Sequence, residues 1–422
     1  MSKIKGIKAR EILDSRGNPT IEVMLETEDG AFVDSAPSGA STGKREALEL
    51  RDGDEGRYFG KGVLKAVQVA QMNVLKAIKG FKTTEQKEVD LALIKLDNTE
   101  NKKRMGANTM TAISLAVARA GAKASRKELF EYIAQISNNE IKLPSPCFNV
   151  INGGKHASNG LVFQEFMINF EGRRYKDQLR MASETYHKLK EIIALKYGKG
   201  STNVGDEGGF APDIKDPKEA LDLIVKATSK LDYLNDLNIF LDVAASEFYD
   251  ASKNRYIINK ENVLDREEMV KYYKDLCLKY PIKAIEDPFD ENDYEGFRML
   301  NQEMLGNLLI IGDDLTTTNV KSVEKAYSKN AINGLLVKIN QIGTVSEAIE
   351  ATNLAKSYNF KIMVSHRSGE TMDDFIADFA VGLSADYIKS GAPARGERVA
   401  KYNRLLKIEQ ILGLWRKYFL QF

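Results

Sequence analysis

Near the start of the chain, apolar and polar residues alternate and then give way to helical spacing. Residues 20–26 alternate as a half-buried strand does, and Asp29-Gly30 is a hairpin signal that predicts a returning strand at 31–33. From 61 to 78 and from 109 to 122, apolar residues recur at the spacing of amphipathic helices. A strand meander followed by helices predicts a separate α+β domain.

The second part of the chain has another rhythm, in which short apolar runs each end in one charged or polar residue. These runs end at Asp242, Glu286, Asp313, Lys338, His366 and Lys389. Amphipathic segments lie between them, and one of these spans 344–358 and opens with the capping pair Thr344 and Glu347. Such alternation predicts parallel strands joined by helical crossovers.

Functional side chains at the ends of successive strands favour a β/α barrel, whose active sites lie at that face. An open, doubly wound sheet is the alternative, but it gathers its ligand at one switch point rather than from six strands. We therefore predict an α/β protein with two domains. Residues 1–136 form an N-terminal α+β capping domain that carries a mobile loop around Ser41, and 137–422 form a catalytic TIM-like barrel.

Composition and charge exclude some classes of function but do not identify one. Apolar residues make up 43% and charged residues 29% of the 422, as in an ordinary globular protein. A net charge of +1 provides no global field for nucleic acid or anionic lipid, so an acidic substrate needs a local cluster of cations. The sequence contains neither a signal-peptide pattern nor an apolar run of membrane-span length, which predicts a cytoplasmic protein. Cys147 and Cys277 are expected to be reduced, half-buried thiols.

Asp242, Glu286 and Asp313 place three carboxylates at three strand ends. Brought together they would repel one another unless a cation lay between them, and hard oxygen ligands favour Mg²⁺. Any one of them alone would more often be a helix cap or a surface charge. Their equivalent positions in one repeat favour the metal site.

Cationic residues follow in the same layer. Lys338 ends its strand and would act as a base if a neighbouring cation lowered its pKa, although a simple ion pair with a metal-site carboxylate is the alternative. Arg367, Ser368 and Lys389 could hold a phosphate through charge-assisted hydrogen bonds. A structural salt bridge is the alternative for Arg367.

Two glycine-rich segments add candidates. Residues 205–209 (GDEGG) bring Glu207 to a turn without side-chain bulk, where it either approaches a substrate or is a solvated charge. Residues 38–43 (SGASTG) have the composition of a mobile loop, or of an ordinary turn. Of the histidines, His156 lies in a loop and is a site candidate, whereas His187 lies in an amphipathic segment and is expected to be structural.

Taken together, the motifs resemble those of the enolase (phosphopyruvate hydratase) family over essentially the whole chain. The matching segments, in order, are 14–20 (DSRGNPT), 37–43 (PSGASTG), 46–52 (EALELRD), 164–167 (QEFM), 204–209 (VGDEGG), 246–249 (SEFY), 285–288 (IEDP), 312–315 (GDDL), Lys338 with 340–343 (NQIG), and 365–371 (SHRSGET). Such a set is far more specific than any single motif.

The resemblance implies a magnesium-dependent, reversible dehydration of 2-phosphoglycerate to phosphoenolpyruvate through an enediolate. It implies Lys338 as the base at C2 and Glu207 as the acid at the C3 hydroxyl, supported by Glu165. Two Mg²⁺ per site are implied, the first on Asp242, Glu286 and Asp313, the second bound with substrate and Ser41. The implied substrate contacts are Gln164, His156, Glu165, Lys338, His366, Arg367, Ser368 and Lys389.

The resemblance also implies a barrel that begins irregularly, with two strands and two helices before the regular repeat. It implies a homodimer or octamer and leaves room for second roles at the cell surface or in RNA degradation. A racemase or lactonising enzyme of the same superfamily is one competing hypothesis, but it would lack the Glu207 turn and the Ser41 loop together. A scaffold that has lost catalysis is another, which the intact set of acids and Lys338 disfavours.

Overall fold

The computed structural model describes residues 2–40 and 43–413. At the N-terminus, three antiparallel strands form a meander in the order β1-β2-β3: Ile4–Leu13, Pro19–Thr27 and Gly30–Ser35. Strand β2 and the return β3 are the two that the alternation predicts, whereas β1 has no counterpart among the predicted elements. Asp29 and Gly30 lie at the turn, where Gly30 has a positive φ of 123°.

Five helices complete the N-terminal part. They are α1 (Leu64–Val69), α2 (Leu75–Ile78), α3 (Gln86–Asp97), α4 (Ala107–Ala124) and α5 (Leu129–Ser137), with a π-helical turn at Ala70–Val74 between the first two. Helix α4 is rich in alanine and packs against β2 and β3 because small side chains allow close approach. Buried aliphatic residues of the sheet and helices form one core here, among them Val23, Leu93 and Ile113.

Eight strands close into a barrel in the described part of the chain. They are β4 (Ser145–Asn152), β5 (Glu165–Asn169), β6 (Asn238–Asp242), β10 (Ile282–Glu286), β11 (Leu309–Gly312), β12 (Gly334–Val337), β13 (Lys361–Ser365) and β14 (Tyr387–Lys389). A small antiparallel sheet follows β6 and contains β7 (Tyr249–Asp250), β8 (Arg255–Ile257) and β9 (Val263–Leu264). Strand β5 is antiparallel to both of its neighbours, and the other pairs are parallel.

Helices surround the barrel. They are α6 (Tyr175–Tyr197), α7 (Pro217–Ser229), α8 (Arg266–Lys279), α9 (Tyr294–Met304), α10 (Val320–Ser328), α11 (Ile339–Ile342), α12 (Val345–Ser357), α13 (Phe375–Gly382) and α14 (Gly396–Ile411). The order β4-β5-α6-α7 before β6 confirms the irregular start. Thr344 caps α12 by accepting a hydrogen bond from the Glu347 amide, as the sequence pair predicts.

Two apolar layers hold the barrel together. The larger lies between the strands and the helices, and a smaller one fills the barrel interior with side chains such as Met167, Phe240, Leu336 and Met363. Among residues 2–40 and 43–413, none of the helices combines the length and the apolar character that crossing a bilayer requires.

The expectation of half-buried thiols is confirmed for Cys277 and wrong for Cys147. Cys147 lies on β4 inside the barrel and is fully buried, so the expectation was wrong for it, while Cys277 on α8 is partly exposed. A strand residue that points into the barrel has no route to solvent, which the sequence pattern around residue 147 does not reveal.

Replacing Leu336 by alanine should destabilise the barrel because Leu336 is fully buried in the interior layer. We expect a loss of about 3–5 kcal/mol in the free energy of unfolding, measured by urea denaturation. Leu195→Ala on α6 is the matched control, since that side chain is 90% exposed; its effect should stay within about 0.5 kcal/mol. Equal losses in the two variants would contradict the assignment of the interior layer.

Candidate functional site

The ends of the parallel strands deliver charged side chains to one mouth of the barrel. In the register of the sheet, Glu286 at the end of β10 pairs with Asp242 at the end of β6, and Lys389 ends β14 beside Ser365. Asp313 directly follows β11, and Lys338 directly follows β12. The sequence rhythm therefore predicted correctly which residues meet at this face.

Lys389 is the central cation of this layer. Its Nζ lies 2.7 Å from Glu286 Oε2, 3.1 Å from Glu165 Oε1 and 3.2 Å from Asp242 Oδ2. The Lys389 side chain is 2% exposed, and the three carboxylates are as deeply buried. Burial works against the charged form, but the three carboxylates outweigh it and raise the pKa of Lys389 well above its usual value.

Lys338 contacts the third predicted metal carboxylate. Its Nζ lies 2.5 Å from Asp313 Oδ2, and Gln341 donates to the other oxygen of Asp313 at 2.8 Å. Burial would lower the pKa of Lys338, but Asp313 more than compensates and the pKa is raised. The predicted lowering depends on a neighbouring cation; among the described protein groups the nearest charge is the anion Asp313, and this ion pair is the alternative that the sequence left open.

Glu207 is buried rather than solvated and faces the same space from the 205–209 turn. Asn149 Nδ2 donates to Glu207 Oε2 at 2.9 Å, and two imidazoles flank the carboxylate: His156 Nδ1 at 3.5 Å from Oε1 and His366 Nε2 at 3.4 Å from Oε2. Burial raises the pKa of Glu207, but His156, His366 and Arg398 outweigh it and lower that pKa well below its usual value. Burial also lowers the pKa of both histidines, to about 4 for His366.

A pocket lies between these groups. Its walls combine the predicted acids, bases and substrate contacts, namely His156, Gln164, Glu165, Glu207, Asp242, Lys338, His366, Arg367, Ser368 and Lys389, with Gly39 and Ala40 of the N-terminal part. On one side Arg367 is buried and pairs with Glu46, with Nη1 2.9 Å from Glu46 Oε2. Arg367 therefore forms the structural ion pair that was the alternative, and it also lines the pocket, while its binding of a phosphate stays a prediction.

The acidic layer has the composition of a divalent-cation site. Glu165, Asp242, Glu286 and Asp313 oppose only two lysines, which leaves two negative charges in excess if all are ionised. Burial, reinforced by Asp242, raises the pKa of Glu286. Its Oε1 is buried and has no hydrogen-bond partner among the described residues. Buried, unsatisfied carboxylate oxygens are suited to a hard cation.

Two groups each share one residue with this layer, and within each group the possible ligand atoms all lie within 4.8 Å of one another: His156 with Glu165 and Glu207, and Asp287 with Asp313 and Asp314. The carboxylate of Asp287 already accepts the amide hydrogens of Asp313 and Asp314, at 2.9 and 2.7 Å. We therefore interpret Asp287 as the residue that positions Asp313 rather than as a metal ligand.

Other predictions can be placed as well. Ser41 lies outside the described residues, as do residues 414–422. His187 is on the exposed face of α6, away from the cavity. Sequence reasoning missed Glu46, Asn149 and Arg398; Glu46 lies in a matching motif, but no local pattern distinguishes the other two.

Sequence comparisons cover the same two parts of the chain. A family model described as "Enolase, N-terminal domain" matches residues 4–133, and one described as "Enolase, C-terminal TIM barrel domain" matches residues 140–420. The chain belongs to the enolase family.

Curated relatives agree with this membership. The enolase of Mastigamoeba balamuthi is 50% identical over 424 residues, which is 98% of this chain and 97% of that protein. The enolase of Methanocaldococcus jannaschii is 50% identical over 414 residues, 98% and 96% of the two chains. Enolase 1 of Entamoeba histolytica is 48% identical over 421 residues, 97% and 96%. Enolases depend on a divalent metal, which suits the excess of buried carboxylates here.

The depressed pKa of His366 predicts a pH-dependent contribution to stability. The unfolded chain binds a proton at this residue near pH 6.5, whereas the folded protein resists it until about pH 4. Acidification from pH 6.5 to about pH 4 therefore lowers the free energy of unfolding, by up to about 3 kcal/mol. Urea denaturation at a series of pH values should show a shallower acid loss in His366→Gln than in wild type, while His187→Gln, at an exposed position, keeps the wild-type slope. Parallel curves for all three proteins would contradict the prediction.

Proposed function

We propose that this enolase-family chain is a carbon–oxygen lyase that reversibly dehydrates 2-phosphoglycerate to phosphoenolpyruvate in glycolysis and gluconeogenesis. One observation carries the proposal: one pocket brings Lys338 and Glu207 from separate segments to face the same space, lined by the cations that an acidic substrate requires. Dehydration next to a carboxylate needs a base and an acid, and these two groups come from different parts of the barrel.

Substrate binding is supported by the distribution of charge around the cavity. Arg367 and Ser368 lie together on the loop after β13 and are suited to the phosphate, which a guanidinium binds in a bidentate manner. Lys338 and Lys389 lie on the acidic side and are suited to the carboxylate of the substrate. Gln164, His156 and His366 contribute polar groups between the two ends.

In the first chemical step, Lys338 in its neutral form accepts the proton from C2. The electron pair of the C–H bond moves onto the carboxylate and gives an enediolate, which Lys389 stabilises by its positive charge. In the second step, Glu207 in its protonated form donates its proton to the C3 hydroxyl. The C3–O bond breaks, water leaves, and the C2=C3 double bond of phosphoenolpyruvate forms. Glu165 lies beside Lys389 and supports this side of the cavity.

We further propose that the metal is Mg²⁺, with two ions per site. Asp242, Glu286 and Asp313 would hold the first, and Ser41 would contribute to the second, which binds with substrate. The support is the oxygen-only donor set of the acidic layer, since such ligands favour Mg²⁺. Bound there, a divalent cation would neutralise the excess carboxylate charge, lower the pKa of Lys338 and stabilise negative charge on the substrate carboxylate.

The remaining proposals rest on the family resemblance. We propose a capping domain over residues 1–136 with a mobile loop around Ser41, and a catalytic domain over 137–422. We propose a cytoplasmic homo-oligomer, a dimer or an octamer, with secondary partners at the cell surface or in RNA degradation. Two apolar clusters support the domain division, although the larger one also contains residues of α4 and α5, such as Leu115 and Ile133.

Lys338→Ala should abolish turnover but spare the fold, because the variant lacks both the proton acceptor and a cation beside the enediolate. We expect kcat to fall by at least about 10⁴-fold. Product formation from 2-phosphoglycerate is followed by ultraviolet absorbance, in chelated buffer and with added Mg²⁺. Lys283→Ala on the exposed side of β10 is the control and should retain wild-type, Mg²⁺-dependent activity. A wild-type protein inactive with Mg²⁺ would refute the proposed function, and a Lys338→Ala variant within about tenfold of wild type would refute the base.

Glu207→Gln should stop net dehydration while leaving exchange of the C2 proton, since the amide cannot donate the proton that the departing hydroxide needs. Deuterium incorporation at C2 of 2-phosphoglycerate in D₂O measures the first step, and phosphoenolpyruvate release measures both. Glu191→Gln, at an exposed position on α6, should behave as wild type in both measurements. Wild-type rates of exchange and of product release in Glu207→Gln would show that Glu207 is not the acid.

A further inference from the structure

Arg398 is fully buried, although the proposed reaction assigns it no part. It lies in the first turns of α14, and its guanidinium reaches the loops that carry Glu207 and the phosphate-side residues. Nη1 donates to Arg367 O at 2.6 Å and contacts His366 Nδ1 at 2.7 Å, and Nη2 donates to Ser368 O at 2.6 Å, Asp206 O at 3.1 Å and Ser15 Oγ at 3.3 Å.

The contact with His366 determines which ring nitrogen carries the proton. A guanidinium has five N–H donors and no acceptor, so the hydrogen bond at 2.7 Å exists only if His366 Nδ1 accepts it. A proton on Nδ1 would place two N–H groups against each other. Both the Nδ1–H tautomer and the imidazolium are therefore disfavoured, and the hydrogen of the neutral ring lies on Nε2.

The opposite side of the ring faces the cavity. His366 Nε2 is buried, lies 3.4 Å from Glu207 Oε2 and has no hydrogen-bond partner of good geometry among the described residues. With hydrogen on Nε2, the ring presents a donor to Glu207 and to a bound substrate; the other tautomer would present a lone pair to a carboxylate. Burial disfavours the imidazolium as well, in keeping with the low pKa of this residue.

We propose that Arg398 is a positioning residue that holds His366 as the neutral Nε2–H tautomer and so keeps a hydrogen-bond donor aimed at Glu207 and the substrate. This inference rests on the proposed dehydration. Arg398 acts through His366 and has no contact of its own with the reacting atoms. Its bonds to the carbonyls of Arg367, Ser368 and Asp206 also support the loops, so a test must separate the tautomer from general loop support.

Nitrogen NMR of the full-length protein with ¹⁵N-labelled histidine provides that test. The chain has three histidines, and the spectra of His187→Gln and His366→Gln together assign all three. For His366 in the wild type we expect a protonated Nε2 and a pyridine-like Nδ1 at neutral pH. A wild-type spectrum with hydrogen on Nδ1, or on both nitrogens, would overturn the proposal whether or not any Arg398 variant folds.

Two variants of Arg398 then connect the tautomer to turnover. Arg398→Gln offers a carbonyl that can accept from Nδ1–H, so we expect a mixture of tautomers and a kcat lowered by about 10- to 100-fold, with a smaller change in KM. Arg398→Lys keeps a donor without an acceptor and should preserve the tautomer and recover part of kcat. Arg404→Gln is the matched control on the same helix, because Arg404 pairs with Asp378 and Glu128 away from the cavity.

The outcomes separate the inference from the proposed function. A lowered kcat in Arg398→Gln with an unchanged His366 tautomer would mean loop support alone and would overturn the proposal. An equal loss of kcat in Arg404→Gln would do the same. A wild-type protein that shows the expected tautomer but does not dehydrate 2-phosphoglycerate would instead refute the proposed function and leave the Arg398–His366 geometry standing.

Discussion

The rest of the structure depends on a buried layer of charges at the mouth of the barrel. Four carboxylates and two lysines would each be costly to bury alone, and they are tolerated because Lys389 and Lys338 contact the carboxylates within hydrogen-bond distance. Most of these residues end or directly follow a strand, so a slip of one residue in register would turn a side chain away from the mouth. The tightly packed barrel interior is therefore a requirement of the site as well as of the fold.

A second constraint is the contact between the N-terminal part and the barrel. The buried Glu46–Arg367 pair links the two at the cavity, and Ser38 and Gly369 exchange backbone hydrogen bonds of 2.8 Å in both directions. Farther from the cavity, Arg119 contacts Asp34 of the N-terminal sheet and Asp373 of a barrel loop. These contacts hold Gly39 and Ala40 against the cavity, so its wall combines groups from both parts of the chain.

The sequence predicts the strand ends well because the apolar run of each strand is a local pattern and ends in one charged or polar residue. It predicts the elements around β2, β3, α4 and α12 for the same reason. It does not predict that Arg398 is buried, since an arginine in a helix next to Glu397 has the pattern of a solvent-exposed charge. The sequence also does not predict the pairing of Glu46 with Arg367, because the two residues lie 321 positions apart and only the tertiary structure brings them together.

The protonation states of the site's own groups have a consequence for the direction of the reaction. Asp313 favours protonated Lys338, and the surroundings of Glu207 favour its ionised form. In the proposed mechanism, dehydration of 2-phosphoglycerate requires the opposite, a neutral Lys338 and a protonated Glu207, whereas hydration of phosphoenolpyruvate starts from the states that these side chains favour. Cationic charge added near Asp313 lowers the pKa of Lys338, and an anionic substrate beside Glu207 raises the pKa of that carboxyl. Together the two pKa shifts favour the transfer of one proton from Lys338 to Glu207, which leaves the total charge unchanged. Under the proposed mechanism, such a site would serve both directions because the charges that bind to it, rather than its own residues, select which protonation state is populated.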